Sequence, residues 1–517
     1  MTSSTECISA NVLTNSNIRL AGKPDTSWRE NSKNVLKQIK SFFRETTVEP
    51  CLFIYQLCIA LSSIAVQNMH LEKSCRVNFQ FGDEICDRIR DRNTTGLEEQ
   101  LNAVHSLVAK VVAWKFPLQT AIPAVMVLFV GAWSDKYRRR KFCILLPMTG
   151  EICTNIGLLL ATYYFYELSL IGTALIEALP AAFTGSYIFV FMGMYSFMTD
   201  RTSVKNRTFR LGIVAICVNL GTPAGTALSG PLLRILGYYG MFSLILALHC
   251  LSFTYGMFRL EDVCPVENET SVNKSGCELR SKLREVFGLV AKTVLVILKP
   301  RPFRGRVQIF AVLALYLIMV GPLYGDSQVG YLYAIRKFSF NEVEYSVYGA
   351  INIVLGLIGT FFCISFLSKR MQVQDSVIGA LAGVSRIAAC FVFAFAPTRP
   401  WFYSAPLFNI FSHCSLTAIR SMATKSVLPE EVAKLNAVIG VTEALAPSIY
   451  MPTSSYIYVS TIDYLPGAFY LFDAALTLVA LGLFAFVYIL VRRRDRDCVK
   501  DPARKEEFAR SNEVARF

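Results

Sequence analysis

The chain has 517 residues, of which 53% are hydrophobic and only 17% charged, with a mean hydropathy of +0.42. An ordinary soluble chain is about 25% charged, so these figures exclude a disordered or collagenous chain and disfavour a large soluble enzyme. The formal charge of +14 raises nucleic acid as a partner until the positions of the 52 Lys and Arg are read.

Those cations cluster at the ends of apolar runs of about 20 residues, the length that crosses a hydrocarbon core. Twelve runs are predicted, near 50–69, 109–131, 142–163, 175–198, 210–233, 238–258, 307–325, 345–367, 376–396, 401–424, 435–457 and 466–491. They define a cytosolic tail (1–48), a six-helix bundle (49–258), a cytosolic linker (259–306), a second six-helix bundle (307–491) and a cytosolic C-terminal tail (492–517). The expected fold is an all-α polytopic membrane protein embedded in the lipid bilayer. With both termini cytosolic, tails and inner loops hold 39 Lys and Arg, counting Arg210 at the inner mouth of span five with its loop, outer loops 9 and the rest of the spans 4, as the positive-inside rule requires. Orientation explains the charge, and no nucleic acid is needed. The first 48 residues contain no apolar core of a cleavable signal peptide, so span one is expected to direct insertion.

In the first outer loop, Cys75 and Cys86 either close a small disulfide or remain thiols. The sequon at Asn93 is a glycosylation candidate on the outer side. Asn206, Asn268 and Asn273 also open sequons, but on the cytosolic side.

Between spans two and three stands Gly131-Ala-Trp-Ser-Asp135-Lys136-Tyr-Arg138-Arg139-Arg140-Lys141. The glycine lets two helices approach closely. Asp135 can accept charge-assisted hydrogen bonds from the arginines or a helix N-terminus, forming a latch that closes the cytosolic side. The segment resembles the loop signature of the major facilitator superfamily, Gly-x-x-x-Asp-(Arg/Lys)-x-Gly-Arg-(Arg/Lys), with Arg138 in place of the second glycine. The resemblance implies the major facilitator fold of two six-helix bundles.

Span five contains Gly221-Thr-Pro223-Ala-Gly225 and Ser229-Gly230-Pro231, which suit either a rocking helix or a static packing seam. The linker becomes basic and amphipathic from Leu279 to Pro302, as a helix on anionic headgroups or a solvated connector would be. Tyr195-Ser-Phe-Met-Thr-Asp200 ends span four and Arg420-Ser-Met-Ala-Thr-Lys425 ends span ten. That faint likeness suggests a duplicated bundle.

Other fragments are Glu49-Pro50, Arg207-Thr-Phe-Arg210, Phe338-x-Phe340-Asn-Glu-Val-Glu-Tyr345, Ala418-Ile-Arg420-Ser-Met422 and Glu443-Ala-Leu-Ala-Pro447. Together they resemble the proton-coupled folate transporter family, solute carriers of folates or other organic solutes, some of them lysosomal. The proton-coupling Glu of that family would stand five residues after Arg210, where this chain has Ala215, and Val307 to Gly325 holds no His. The resemblance therefore carries over neither folate nor that proton route. It does imply a functional arginine at Arg420.

A charge at mid-bilayer costs about 2.5 to 3.5 kcal/mol on insertion scales, so each needs a partner, a wet cavity or a function. Eight are expected in or near the slab: Lys110, Lys115, Glu151, Glu177, Arg386, Arg420, Glu443 and Asp473. Lys110 and Glu177 are expected to snorkel to the outer surface. Arg420 and Glu443, on spans joined by a short inner loop, are the candidate substrate site, Arg420 holding an anion while Glu443 takes a proton or releases the arginine. A static pair is the alternative. His413 lies two turns from Arg420 on the same helix face, and either titrates or bonds a backbone carbonyl. Lys115 either draws anions inward or snorkels. Glu151, Arg386 and Asp473 are expected to be structural, the last two neutralising each other.

Four His residues, with no Gly-rich phosphate loop and no Cys-x-x-Cys or His-Glu-x-x-His, give no reason to expect an enzyme, a metal or a cofactor. The function read is secondary active transport of a small organic, anionic solute by a monomer, with protons as a candidate co-substrate. A non-transporting receptor or scaffold of the same fold is the alternative. The C-terminal tail lacks an acidic dileucine signal, which favours the plasma membrane over the lysosome.

Overall fold

A computed structural model describes residues 47–202, 204–262, 305–427 and 429–500, together with Leu298. Most of both tails, the basic amphipathic linker segment, and the side chains of Asp135 and Lys136 lie outside the described residues. The first half comprises α1 (Glu49–Lys73), α2 (Asp83–Arg90), α3 (Glu98–Tyr137), α4 (Arg140–Tyr163), α5 (Leu170–Thr184), α6 (Ser186–Arg201) and α7 (Val204–Arg259). The second comprises α8 (Gly305–Phe338), α9 (Glu342–Phe362), α10 (Asp375–Phe395), α11 (Arg399–Phe408), α12 (Cys414–Thr424), α13 (Pro429–Thr461) and α14 (Ala468–Lys500).

Among the described residues, nine helical stretches are long and apolar enough to cross a membrane. The twelve expected spans all fall on helices: α7 is two helices joined at Gly237, and span ten is divided between α11 and α12. Gly237 has φ 62° and ψ −173°, a conformation open essentially to glycine alone.

Local chemistry sets several helix ends. Glu49 and Pro50 open α1, where an acid meets the positive helix end and proline loses no hydrogen bond. Asn341 and Glu344 form a reciprocal capping box on α9, at 2.8 and 3.0 Å. Arg399 at the start of α11 donates to the Phe338 carbonyl at 2.7 Å and to Glu344 at 3.1 Å, fastening this motif to span ten.

Span ten was expected to be one helix over 401–424, but it breaks at 409–413. The Ser385 side chain donates to the Phe408 carbonyl at 2.5 Å and accepts from the Phe411 N–H at 3.3 Å. Backbone freed in a membrane needs such partners. Gly356 and Gly359 on α9 make room for the break, lying against His413 and Ile410 with no space for a Cβ. Span four is interrupted too, at Gly185 with φ 94°. Interruptions at corresponding places in two repeats mark the binding region of many transporters.

The faint likeness between the inner ends of spans four and ten has a counterpart in their ion pairs. Asp200 accepts from Arg140, the first residue of α4, at 2.9 Å, while Lys425 donates to Asp375, the first residue of α10, at 2.6 Å. The sign is reversed and the position is kept.

We call outer the face carrying α2 and inner the face carrying the Gly131–Lys141 loop. One apolar core runs through both halves on the outer side, joining Leu61, Met69 and Val104 to Tyr331, Ile335 and Tyr458. Toward the inner side the cores separate, one around Tyr55, Ile144 and Met194 and another around Leu315, Ile419 and Phe484. Polar pairs also tie the halves: Gln67 to Gln328 at 3.0 Å, Asn68 to Tyr331 at 2.6 Å, Asn102 to Arg336 at 2.5 Å and His105 to Tyr458 at 3.1 Å. Thr120 meets Ser448 deeper in, at 2.9 Å. This conformation is closed on its outer side.

Candidate functional site

Below the break in span ten, α12 carries Arg420, whose guanidinium donates to Glu443 on α13 at 2.9 Å and to the Tyr316 hydroxyl on α8 at 3.3 Å. It also lies 5.9 Å from the centre of the Tyr316 ring. From the other half, α6 presents Tyr187, Phe191 and Tyr195 one turn apart, with successive ring centres at 6.4 and 6.3 Å. Tyr195 lies within electrostatic reach of both Arg420 and Glu443, and Tyr187 faces Tyr324 of α8.

The Arg420 side chain is 49% exposed and that of Glu443 29%. Exposed ion pairs contribute about 0 to 1 kcal/mol, so this pair is easily exchanged. An incoming carboxylate or sulfate can replace Glu443 on the planar guanidinium with two parallel hydrogen bonds. Aromatic faces on either side suit a large apolar body.

The other candidate residues fall elsewhere. Lys115 is buried and donates to both oxygens of Glu177 at 2.8 and 2.9 Å, with His70 3.4 Å from the same carboxylate. Lys115 therefore neither snorkels nor opens to a solute, and Glu177 is turned inward by α5 instead of reaching the outer surface. Lys110 is exposed. Glu151 on α4 faces the Tyr55 hydroxyl of α1.

His413 sits at the end of the helix break as the N-cap of α12, two turns before Arg420, with its ring packed on Gly356 of α9. Arg386 does donate to Asp473 at 3.1 Å, but it also bonds Asp326 on α8. The predicted span seven stopped at Gly325, one residue short of that acid, whereas α8 continues to Phe338.

At the inner loop, Gly131 lies under Met192, where a Cβ would come within 3.1 Å of Sδ. Arg140 donates to Asp200 and, at 3.1 Å, to Ser134, while Arg138 reaches Asp200 at 3.4 Å. The Arg139 side chain is exposed, and its carbonyl accepts from Ser134 at 3.2 Å. Asp200, quoted in the sequence only as part of the repeat, thus receives these arginines. Arg138 keeps the turn of the missing glycine by adopting φ 54° and ψ 26°. Glu49 and Arg210, from two of the family-like fragments, pair at 3.2 Å. In the outer loop, Cys75 and Cys86 form a disulfide, and Asn93 is exposed.

A family model described as the Major Facilitator Superfamily matches residues 94–412. The chain belongs to that superfamily.

Among its relatives is a lysosomal proton-coupled steroid conjugate and bile acid symporter of Gallus gallus, 23% identical over 448 residues, covering 85% of this chain and 93% of the relative. A proton-coupled folate transporter of Rattus norvegicus is 22% identical, covering 68% of this chain and 72% of the relative. These relatives fit the family resemblance read from the sequence. A crystal structure of a POT family transporter in complex with a thioalcohol conjugated peptide matches with a TM-score of 0.58 at 14% identity, covering 86% of this chain and 96% of that one. That last likeness shows the fold alone. This facilitator is a multi-pass membrane protein and a secondary transporter.

The residues missed in the sequence have simple signatures. Tyr187, Phe191 and Tyr195 recur every four positions, the spacing of one helix face.

Proposed function

We propose that this facilitator carries amphipathic organic anions by alternating access, with Arg420 as the anion anchor. The observation that carries the reading is the half-open Arg420 guanidinium lying between the tyrosines of α6 and α8. In the outer-closed state Glu443 occupies the anchor. A solute anion displaces it, and protonation of Glu443 removes the competing charge. The body of the solute lies along Tyr187, Phe191 and Tyr195. Relatives named for steroid conjugates, bile acids and folate support a solute with an anionic group and an extended body.

The test is uptake into vesicles holding the purified protein, with a steroid sulfate, a bile acid, a folate and a neutral steroid. Uptake of the anions over the neutral steroid is expected. No uptake of any anion would sink the reading.

We place the protein in an acidic organelle instead of the plasma membrane expected from its tail, following the lysosomal relative. Its termini are cytosolic and its outer face lumenal. A glycan removed by Asn93→Gln would support this orientation, and imaging of the tagged protein at its native level decides the compartment.

A further inference from the structure

Three charges meet inside the second half, where α8, α10 and α14 pack together. Arg386 donates to Oδ2 of Asp473 and to Oδ2 of Asp326. Both carboxyls thus meet on one guanidinium nitrogen, Nη2 of Arg386. Each leaves its Oδ1 buried with no hydrogen-bond partner among the described residues. The Asp473 side chain is 1% exposed and that of Asp326 13%, so Asp326 is the more open end of the cluster.

One guanidinium cancels one carboxylate. If both acids were ionised, the cluster would carry a net charge of −1 in a low-dielectric setting, and like charges sharing a buried site do not both ionise readily. Among the described residues, the surrounding titratable groups supply no compensating cation. They are Cys390 on α10, Tyr345 and Tyr348 on α9, Tyr450 on α13 and Tyr470 on α14, with His413 toward Arg386. His413 is the one base in that set, and it packs on Gly356.

We propose that Asp326 and Asp473 share one exchangeable proton, and that this pair couples proton movement to transport in place of the family acid replaced by Ala215. The inference rests on the transport reading above. A proton taken from water forms an O–H bond on the pair and leaves later to water on the opposite side, so the cluster alternates between net charge 0 and −1. The proton belongs to the pair and not to either acid. Span seven provides the mechanical link. Asp326 lies on the same helix as Tyr316 and Tyr324, which face the solute site, and as Gln328, Tyr331 and Arg336, which bond the first half on the outer side. Charging the pair changes how tightly α8 is held to Arg386, and α8 carries that change to the outer closure.

The full-length protein, reconstituted in vesicles containing a pH-sensitive dye, tests this. Wild type should take up protons with solute. Asp326→Asn and Asp473→Asn should each lose proton-driven accumulation by about tenfold, an ordinary coupling magnitude, while still exchanging solute at equal pH. Proton-driven accumulation unchanged in both variants and in the double variant would overturn the proposal. Infrared spectra of the purified protein at acidic and neutral pH give a second readout. A protonated-carboxyl band is expected that either Asn variant removes and either Asp→Glu variant shifts; the same band left intact in the Asn variants would also overturn it. Wild type that shows the band but moves no solute defeats the transport reading alone. Wild type that moves solute without protons and without the band defeats this inference alone.

Discussion

Tyr195 and Arg420 lie at the inner ends of spans four and ten, and Tyr195 stands within electrostatic reach of the carboxylate that Arg420 bonds, Glu443. The anchor is thus built across the repeat interface, where relative motion of the halves must change it. Arg420→Ala is expected to lower anion uptake about tenfold to a hundredfold, the loss of a charge-assisted hydrogen-bonded contact of about 1.5 to 3 kcal/mol. Folding should hardly respond, because an exposed pair contributes about 1 kcal/mol at most. Uptake and thermal unfolding measured together check both halves of this statement. Wild-type uptake by the variant would remove Arg420 from the site.

Arg138 offers a gain in stability. It holds φ 54° where the superfamily signature has glycine, and a non-glycine residue in that region costs about 1 to 2 kcal/mol. Its bond to Asp200, at 3.4 Å from a half-exposed side chain, returns only a few tenths of a kcal/mol by the usual measure of such pairs. Arg138→Gly should therefore raise the unfolding midpoint by about 1 to 2 °C in a chain this large. A fall in the midpoint would show that the Asp200 contact outweighs the backbone strain.

The outer loop carries a pH prediction of definite sign. Hydrogen bonding from Arg76, at 2.5 Å, lowers the pKa of Asp87. A carboxylate depressed on folding contributes stability that is complete above its unfolded value, about 3.9 for Asp, and is lost as pH falls through the folded value. The loop around the Cys75–Cys86 disulfide should thus keep its protection from protease through neutral and mildly acidic pH, losing it only in strong acid. Asp87→Asn should remove that acid step. Loss of protection already in the mildly acidic range would contradict the assignment.

Much of the fold was legible because lipid enforces its own pattern. Apolar length located the spans, and the Gly131–Lys141 loop named the superfamily. The Arg420–Glu443 contact was also foreseeable, since a short inner loop brings the two residues to similar depth. Three-body arrangements were not. Whether Glu177 reaches the outer surface or Lys115 depends on how α5 rotates, which hydropathy does not encode. Asp326 was lost because a polar helix end reads as a loop until its partners are seen. The break at 409–413 escaped because the sequence Asn409-Ile-Phe-Ser-His413 has no proline or glycine. Its support comes from Ser385 and from the glycines of α9.

The glycines of span five decide between a rocking helix and a packing seam. Gly221 and Gly225 face α1, and a Cβ at Gly225 would come within 2.5 Å of the Leu57 carbonyl and 2.7 Å of the Ala60 methyl. At Gly221 the nearest atom, the Phe53 carbonyl, would be 3.0 Å away. Both helices belong to the same half, so the contact is a seam that moves as a unit with its bundle. Backbone cannot yield as a side chain does, and overpacking of this kind costs about 1 to 3 kcal/mol. Gly225→Ala should lower the unfolding midpoint more than Gly221→Ala, and Gly225→Leu should abolish stable expression. If Gly225→Ala unfolds like wild type but transports slowly, the seam is mobile and span five rocks against span one during the cycle.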